Sequence, residues 1–184
     1  ELIHRFYNDR RKQLIDAKPN AAHLALVELE QWFDVQVITQ NVDDLHERAG
    51  SSKILHLHGE LMKVRSTKHE ERVYTLSPDN IETSMETRDK YGDPVRPHIV
   101  FFEEPVPNFG EAMRITQQAD IFVVIGTSLA VYPAASLSDC VKPGTPIFYI
   151  DPNPAKVHKS NLTVIPKTAS EGMKELKEIL KKYV

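Results

Sequence analysis

A single cysteine, Cys140, stands in 184 residues. That excludes an internal disulfide framework and a cysteine-rich zinc site, and a reducing, cytoplasmic home is the expectation. Charge of one sign is also scarce. The formal net charge is −3 with no polybasic stretch, so nucleic acid is not a favoured partner. No apolar run approaches the length of a membrane span, no secretory signal opens the chain, and no membrane association is expected. The seven glycines never form G-x-G-x-x-G, so the usual dinucleotide fingerprint is absent. There is no internal repeat or low-complexity linker, and nothing marks an oligomeric state. What remains is ordinary globular composition, 41% hydrophobic and 27% charged, enough for one domain with a sizeable core.

The apolar periodicity of Leu2, Ile3, Phe6, Tyr7, Leu14 and Ile15 predicts an amphipathic helix over 1–16. Asn20 is placed to cap a second helix over Ala21–Phe33. DVQVITQN reads as a strand, LHERAG as a short helix closed by Gly50, and KILHLHG as a second strand. HIVFF is strand-like. Residues 108–119 suit a helix leading into IFVVIGTS, an apolar strand of the kind buried in a parallel sheet. A helix near Ala134–Cys140, the strand PIFYID and a terminal helix in SEGMKELKEILKKY follow. This is the grammar of an α/β fold with a doubly wound parallel sheet. The expected division is a helical region over 1–33, a core from 34–60 and 98–184, and a small charged module over 61–97.

Ligands of such sheets collect beyond the C-terminal strand ends. Three polar clusters fall there: Gln40-Asn41-Val42-Asp43, Gly126-Thr127-Ser128 and Asp151-Pro152-Asn153. Each alone can be a capped strand end. Together they favour a nucleotide site, with amides and carboxylates for sugar hydroxyls and backbone N–H groups for phosphates. In HLHG, His56 and His58 share one strand face. His58 is either a general base or a histidine satisfied by hydrogen bonds, and His56 has no better claim. Tyr7 and Arg10, one helical turn apart, either hold a carboxylate jointly or represent an Arg lying over a buried Tyr.

At TQNVDDLHERAG, LHLHGE, RPHIVFFEE, IGTSLAVYPAAS and IDPNP, in that order over most of the chain, the sequence resembles the sirtuins, the NAD-dependent protein lysine deacylases. The resemblance implies a large Rossmann-like domain and a small one, with NAD and an acyl-lysine of a protein substrate meeting in the cleft between them. It assigns His58 as the catalytic base and places Gln40, Asn41, Val42 and Asp43 at the nicotinamide ribose, with Asn41 and Asp43 also catalytic. It puts Gly126, Thr127 and Ser128 on the cofactor, Asp151, Pro152 and Asn153 at the adenosine end, and Ala169 at the adenine. Val100, Phe101 and Phe102 would wall the acyl-lysine tunnel. FYNDRR resembles the Tyr-x-x-Arg of the bacterial-type subgroup that removes succinyl and malonyl groups, so Tyr7 and Arg10 would bind the acyl carboxylate.

Three departures from the family accompany the match. Residues 61–97 lack the usual zinc cysteines. Ser66 stands about where the first would be, and His69, Glu70 and Glu71 are too clustered to replace them, so no zinc is expected. Glu103 replaces a family glycine. The family's first strand and its Gly-Ala-Gly-x-Ser phosphate loop are not found, which leaves an apolar slot in the expected sheet and suggests an N-terminally truncated domain. Two alternatives therefore stand beside the deacylase: a catalytically silent NAD- or ADP-ribose-binding fragment, and a mono-ADP-ribosyltransferase.

Overall fold

The computed structural model describes residues 1–129 and 132–184, so Ala130 and Val131 of the IGTSLAVYPAAS motif lie outside it. The helices are α1 (Leu2–Asp16), α2 (Ala21–Leu29), α3 (Leu45–Ala49), α4 (Phe109–Gln118), α5 (Ala134–Asp139) and α6 (Ala169–Leu180). The strands are β1 (Val37–Thr39), β2 (Ile54–His56), β3 (Gly59–Ser66), β4 (Val73–Thr75), β5 (Val95–Ile99), β6 (Phe122–Ile125), β7 (Ile147–Ile150) and β8 (Leu162–Ile165).

Local chemistry starts the helices. The Asn20 side chain accepts from the N–H groups of Ala22 and His23 at 2.9 and 3.1 Å, satisfying two donors that the first turn of α2 would leave bare. Thr168 caps α6 in the same way through the N–H of Glu171. The apolar stripe of α6, Met173, Leu176 and Leu180, packs with Ala22, Ala25 and Leu29 of α2 against Phe148, Ile150 and Ile165. On the other face Tyr149 packs with Val124 and Leu129, against Val157 and Leu162. β7 is consequently buried at all four positions, the pattern of a strand covered on both faces.

The parallel strands form two ribbons, β1–β2 and β6–β7–β8. Among the described residues these ribbons are not hydrogen-bonded to each other. A cleft of about 970 Å³ is lined by Val37 and Ile38 of β1 and by Phe122, Val123 and Ile125 of β6. The strand β8 was not anticipated. Thr163 and Val164 are exposed at that edge, so no buried apolar run marks it.

The small module is an antiparallel sheet in the order β4–β3–β5. Arg11 of α1, wholly buried, fastens it. Its Nε donates to the carbonyl of Leu61 at 2.8 Å, and one terminal nitrogen donates to Asn8 Oδ1 (2.9 Å), the carbonyl of Ile81 (3.2 Å) and Thr83 Oγ1 (3.2 Å). Burial lowers the pKa of this guanidinium to about 10. Ser66, also wholly buried, accepts from the N–H groups of Lys68 and His69, each at 3.2 Å.

Candidate active site

The ends of β1 and β6 meet through their side chains. Gln40 Nε2 donates to Thr127 Oγ1 at 3.0 Å, across the mouth of the cleft. Gly126, between β6 and Thr127, has φ 63° and open space where a side chain would stand. Its N–H donates to the carbonyl of Ile150 at 2.9 Å, tying the turn to β7. Gln40, Asn41, Gly126, Thr127 and Ala169 therefore line one cleft. The mouth of the cleft is polar, and its deeper walls between β1 and β6 are apolar.

Other expected residues sit around this cleft rather than in it. Asp43 accepts the N–H of Leu45 at 3.0 Å and so starts α3. The carbonyl of Val42 accepts from the N–H of Leu61 at 2.7 Å, which ties the loop to the small module. Ser128 is half-buried. Asp151 accepts the N–H of Asn153 at 2.7 Å in a turn beyond β7, where Pro152 and Asn153 are exposed.

His58 is half-buried between β2 and β3, and desolvation holds its pKa below the ordinary 6.5. Such an imidazole is neutral at pH 7 and can take a proton. Its carbonyl accepts from the N–H of Val100 at 3.0 Å. The following residue must be glycine. Gly59 has φ 88°, and a Cβ there would stand 2.0 Å from the carbonyl oxygen of His98. His56 has a different setting. It is buried, with Nδ1 3.3 Å from the carbonyl of Asn41 and Nε2 2.7 Å from Glu47.

Tyr7 reaches the β5 end. Its ring stacks on Phe101 with centroids 6.0 Å apart and planes 20° apart. The Arg96 guanidinium lies 4.1 Å from the same Phe101 ring and forks onto Glu104 at 2.8 and 3.2 Å. Glu104 also accepts the N–H of Phe101 at 2.9 Å. Burial raises the Tyr7 pKa, with Arg96 and Arg11 close enough to oppose that shift. Arg10 does not lie over Tyr7. It is exposed, donates to Gln13 at 3.2 Å and covers Phe6 at 5.2 Å.

The tunnel wall requires one correction. Phe102 is 102% exposed and walls nothing in this conformation. The sharp turn that follows β5 turns it outward while Phe101 stays half-buried. Glu103, in that turn, has φ 70° and is the only non-glycine residue with positive φ among those described. Two participants escaped the sequence reading. His46 lines the cleft with a buried, unpartnered Nδ1, 4.6 Å from the ring of His23. Arg96 clamps Phe101. Both lie inside stretches that carry the family resemblance, TQNVDDLHERAG and RPHIVFFEE, but neither was singled out, because their partners His23 and Phe101 are set by the tertiary fold.

Residues 2–133 match the Sir2 family. An NAD-dependent protein deacylase of Bacteroides thetaiotaomicron is 51% identical over 183 residues, covering 97% of this chain and 78% of that protein. One from Helicobacter pylori strain 26695 is 49% identical over 172 residues, covering 93% and 74%. A crystal structure of a Sir2 homologue–NAD complex superposes with a TM-score of 0.84 at 37% identity, covering 98% of this chain and 72% of that one. With the split parallel sheet, the His-Gly pair and the Gln40–Thr127 mouth already in place, these matches settle the assignment: the chain belongs to the Sir2 family.

Proposed function

We propose that this chain transfers acyl groups from protein lysines to the ADP-ribose of NAD, releasing nicotinamide and the free lysine, with His58 as the general base and Tyr7 and Arg10 selecting acidic acyl groups. The protein deacylase activity rests on relatives about half identical in sequence. NAD, when bound, supplies an electrophilic ribose carbon with nicotinamide as the leaving group. Gln40, Asn41, Gly126, Thr127 and Ala169 would hold it in the cleft. Asp43 and Val42 keep the loop after β1 in place through α3 and the small module. Ser128 continues the Gly126 turn, and Asp151, Pro152 and Asn153 serve the adenosine end. His58 Nε2 or Nδ1 takes the proton of a ribose hydroxyl and later returns one, and Val100 and Phe101 guide the acyl-lysine beside it.

The observation that carries the base assignment is the neutral, half-buried His58 fixed to Val100 through its backbone. For the acyl preference, support comes from the Tyr7 phenol, packed on Phe101 and lying in the field of Arg96 and Arg11. Arg10 completes the pocket by turning inward from its exposed position. A cytoplasmic location accords with the single cysteine. Among the described residues no helix is long and apolar enough to cross a membrane. The small module folds without zinc in this reading, because Ser66 is occupied by its own turn and Arg11 makes the fastening.

The test is NAD-dependent deacylation of one peptide carrying either acetyl- or succinyl-lysine, read by mass spectrometry with His58→Ala as control. His58-dependent loss of acyl mass, greater for succinyl, is expected. No acyl loss would make the chain a silent binding module, and a gain of ADP-ribose mass on the peptide would make it a transferase of the other kind.

A further inference from the structure

One guanidinium spans the turn that follows β5. Arg96, on β5, donates to Glu104 from both terminal nitrogens, at 2.8 and 3.2 Å, and to the carbonyl of Ile99 at 3.3 Å. Its charged carbon lies 4.1 Å from the centroid of the Phe101 ring. Glu104 accepts the N–H of Phe101 at 2.9 Å and donates its own N–H to the Phe101 carbonyl at 3.1 Å. Ile99, Phe101 and Glu104 are thus all held by one side chain. Phe101 also carries the Tyr7 ring, 6.0 Å away and 20° from parallel. A chain of contacts therefore runs from an ion pair, through Phe101, to Tyr7 on α1. The charge arrangement has a cost that packing alone does not require. Arg65 stands directly opposite Arg96 in the β3–β5 register, and like charges at such a pair repel. Arg65 is 9% exposed, with its guanidinium 3.8 Å from the same Glu104 carboxylate. The Arg96 hydrogen bonds hold the Glu104 pKa below the usual carboxylate range, so Glu104 is charged at neutral pH. Two guanidinium groups sharing one carboxylate leave a net positive charge at the turn.

We propose that Arg96, paired with Glu104, is a positioning residue for the acyl-lysine: it sets the plane of Phe101 and, through Phe101, the place of the Tyr7 phenol, and so tunes the acyl preference. The proposal rests on the deacylase reading and deepens it. Arg96 acts through the wall and through Tyr7, so its effect falls on how the acyl-lysine is received. The net positive charge behind Phe101 favours acyl groups that end in a carboxylate. Only arginine suits the position. Its planar fork meets both oxygens of Glu104 while its face lies on an aromatic ring, whereas a lysine ammonium is a point charge that cannot do both. Glu104 is equally specific. Its carboxylate receives Arg96 and the Phe101 N–H together, which fixes the ring to its own backbone turn.

The experiment compares NAD-dependent turnover of one peptide, succinylated or acetylated on lysine, by the native chain, Arg96→Met, Arg96→Lys and Glu104→Gln. Arg96→Met is expected to raise KM for the succinyl peptide about tenfold, with kcat changed less than about threefold and NAD affinity unchanged. The acetyl peptide should lose less. Arg96→Lys keeps the charge without the fork and should not restore the native KM. Glu104→Gln keeps an acceptor for the Phe101 N–H and should fall between, and it carries the test if the Arg96 variants fail to fold. A native KM in Arg96→Met, or equal losses of kcat on both peptides, overturns the proposal. A second readout needs no turnover. In NMR spectra of ring-labelled tyrosine, with the Tyr7 signal assigned through Tyr7→Phe, that signal should shift in Arg96→Met and in Glu104→Gln. An unmoved Tyr7 signal overturns the positioning role, whereas a native chain that turns over neither peptide overturns the deacylase reading on which it rests.

Discussion

Gln40 and Thr127, 87 residues apart in sequence, share a hydrogen bond of 3.0 Å that joins the ends of two strands belonging to different ribbons. The contact does locally what a continuous sheet would do along its length. Thr127→Val keeps the shape and removes the acceptor, which leaves the Gln40 amide without this partner. NAD affinity should fall about fivefold, equivalent to roughly 1 kcal/mol, with little change in melting temperature. Calorimetric titration with NAD beside a thermal melt checks it, and an equal loss in both would reduce the contact to a structural one.

His58→Ala should lower deacylation by about 10²–10⁴-fold while NAD binding persists. The pH profile carries a sign. Burial depresses the His58 pKa, so the imidazole stays neutral below its ordinary 6.5. The acidic limb of kcat/KM should therefore be centred below pH 6.5. A limb centred above that value would assign the base to another group.

Arg10→Met should reduce succinyl turnover with acetyl turnover largely preserved, and Tyr7→Phe should act in the same direction. An unchanged succinyl-to-acetyl ratio in an active Arg10→Met protein sinks the acyl assignment. Arg10 is exposed and makes one side-chain bond, so its replacement should not disturb folding.

Glu103 occupies a left-handed conformation that glycine adopts freely, at a cost of about 1 kcal/mol for any other residue. Glu103→Gly should raise unfolding free energy by about that amount in a urea titration. If stability stays flat, the Glu103 side chain offsets its own strain.

Acid should destabilise the fold through its buried histidines. Desolvation is the first cause of depressed pKa values at His4, His46, His58 and His98. The unfolded chain binds protons that the folded chain refuses. The contribution is thus complete above pH 6.5, is lost as pH falls from there towards the depressed folded values, and changes no further below them. Melting temperatures followed downward from neutral pH should decline from about that point, whereas a decline confined to the carboxylate range would shift the cause elsewhere.

The parts legible in the sequence were those whose physics is local. Asn20 caps where a side-chain oxygen precedes an apolar period, and β7 announces itself by four consecutive buried apolar residues. The clusters at Gln40 and Gly126 were visible because strand ends collect polar residues. Their union through Thr127 was not, since nothing in either stretch records a partner 87 residues away. The aim of Arg10, the exposure of Phe102 and the burial of Arg11 depend on how α1 rests on β3 and β5. Arg10, Arg11 and Arg96 end respectively in solvent, in a buried hub and over an aromatic ring. β8 was missed because an edge strand needs only one buried neighbour.

Gly59 abuts the carbonyl of His98, and the carbonyl of His58 is held by the N–H of Val100. Both contacts lie where β3 leaves His58 and β5 reaches its end, and no side chain intervenes between the two backbones. The backbones of His58 and Val100 are therefore held together as one unit. If the small module rocks against the parallel ribbons when a peptide enters, the hinge falls outside this pair. Such a motion can then change how His58 stands to the cleft, but not how it stands to Val100.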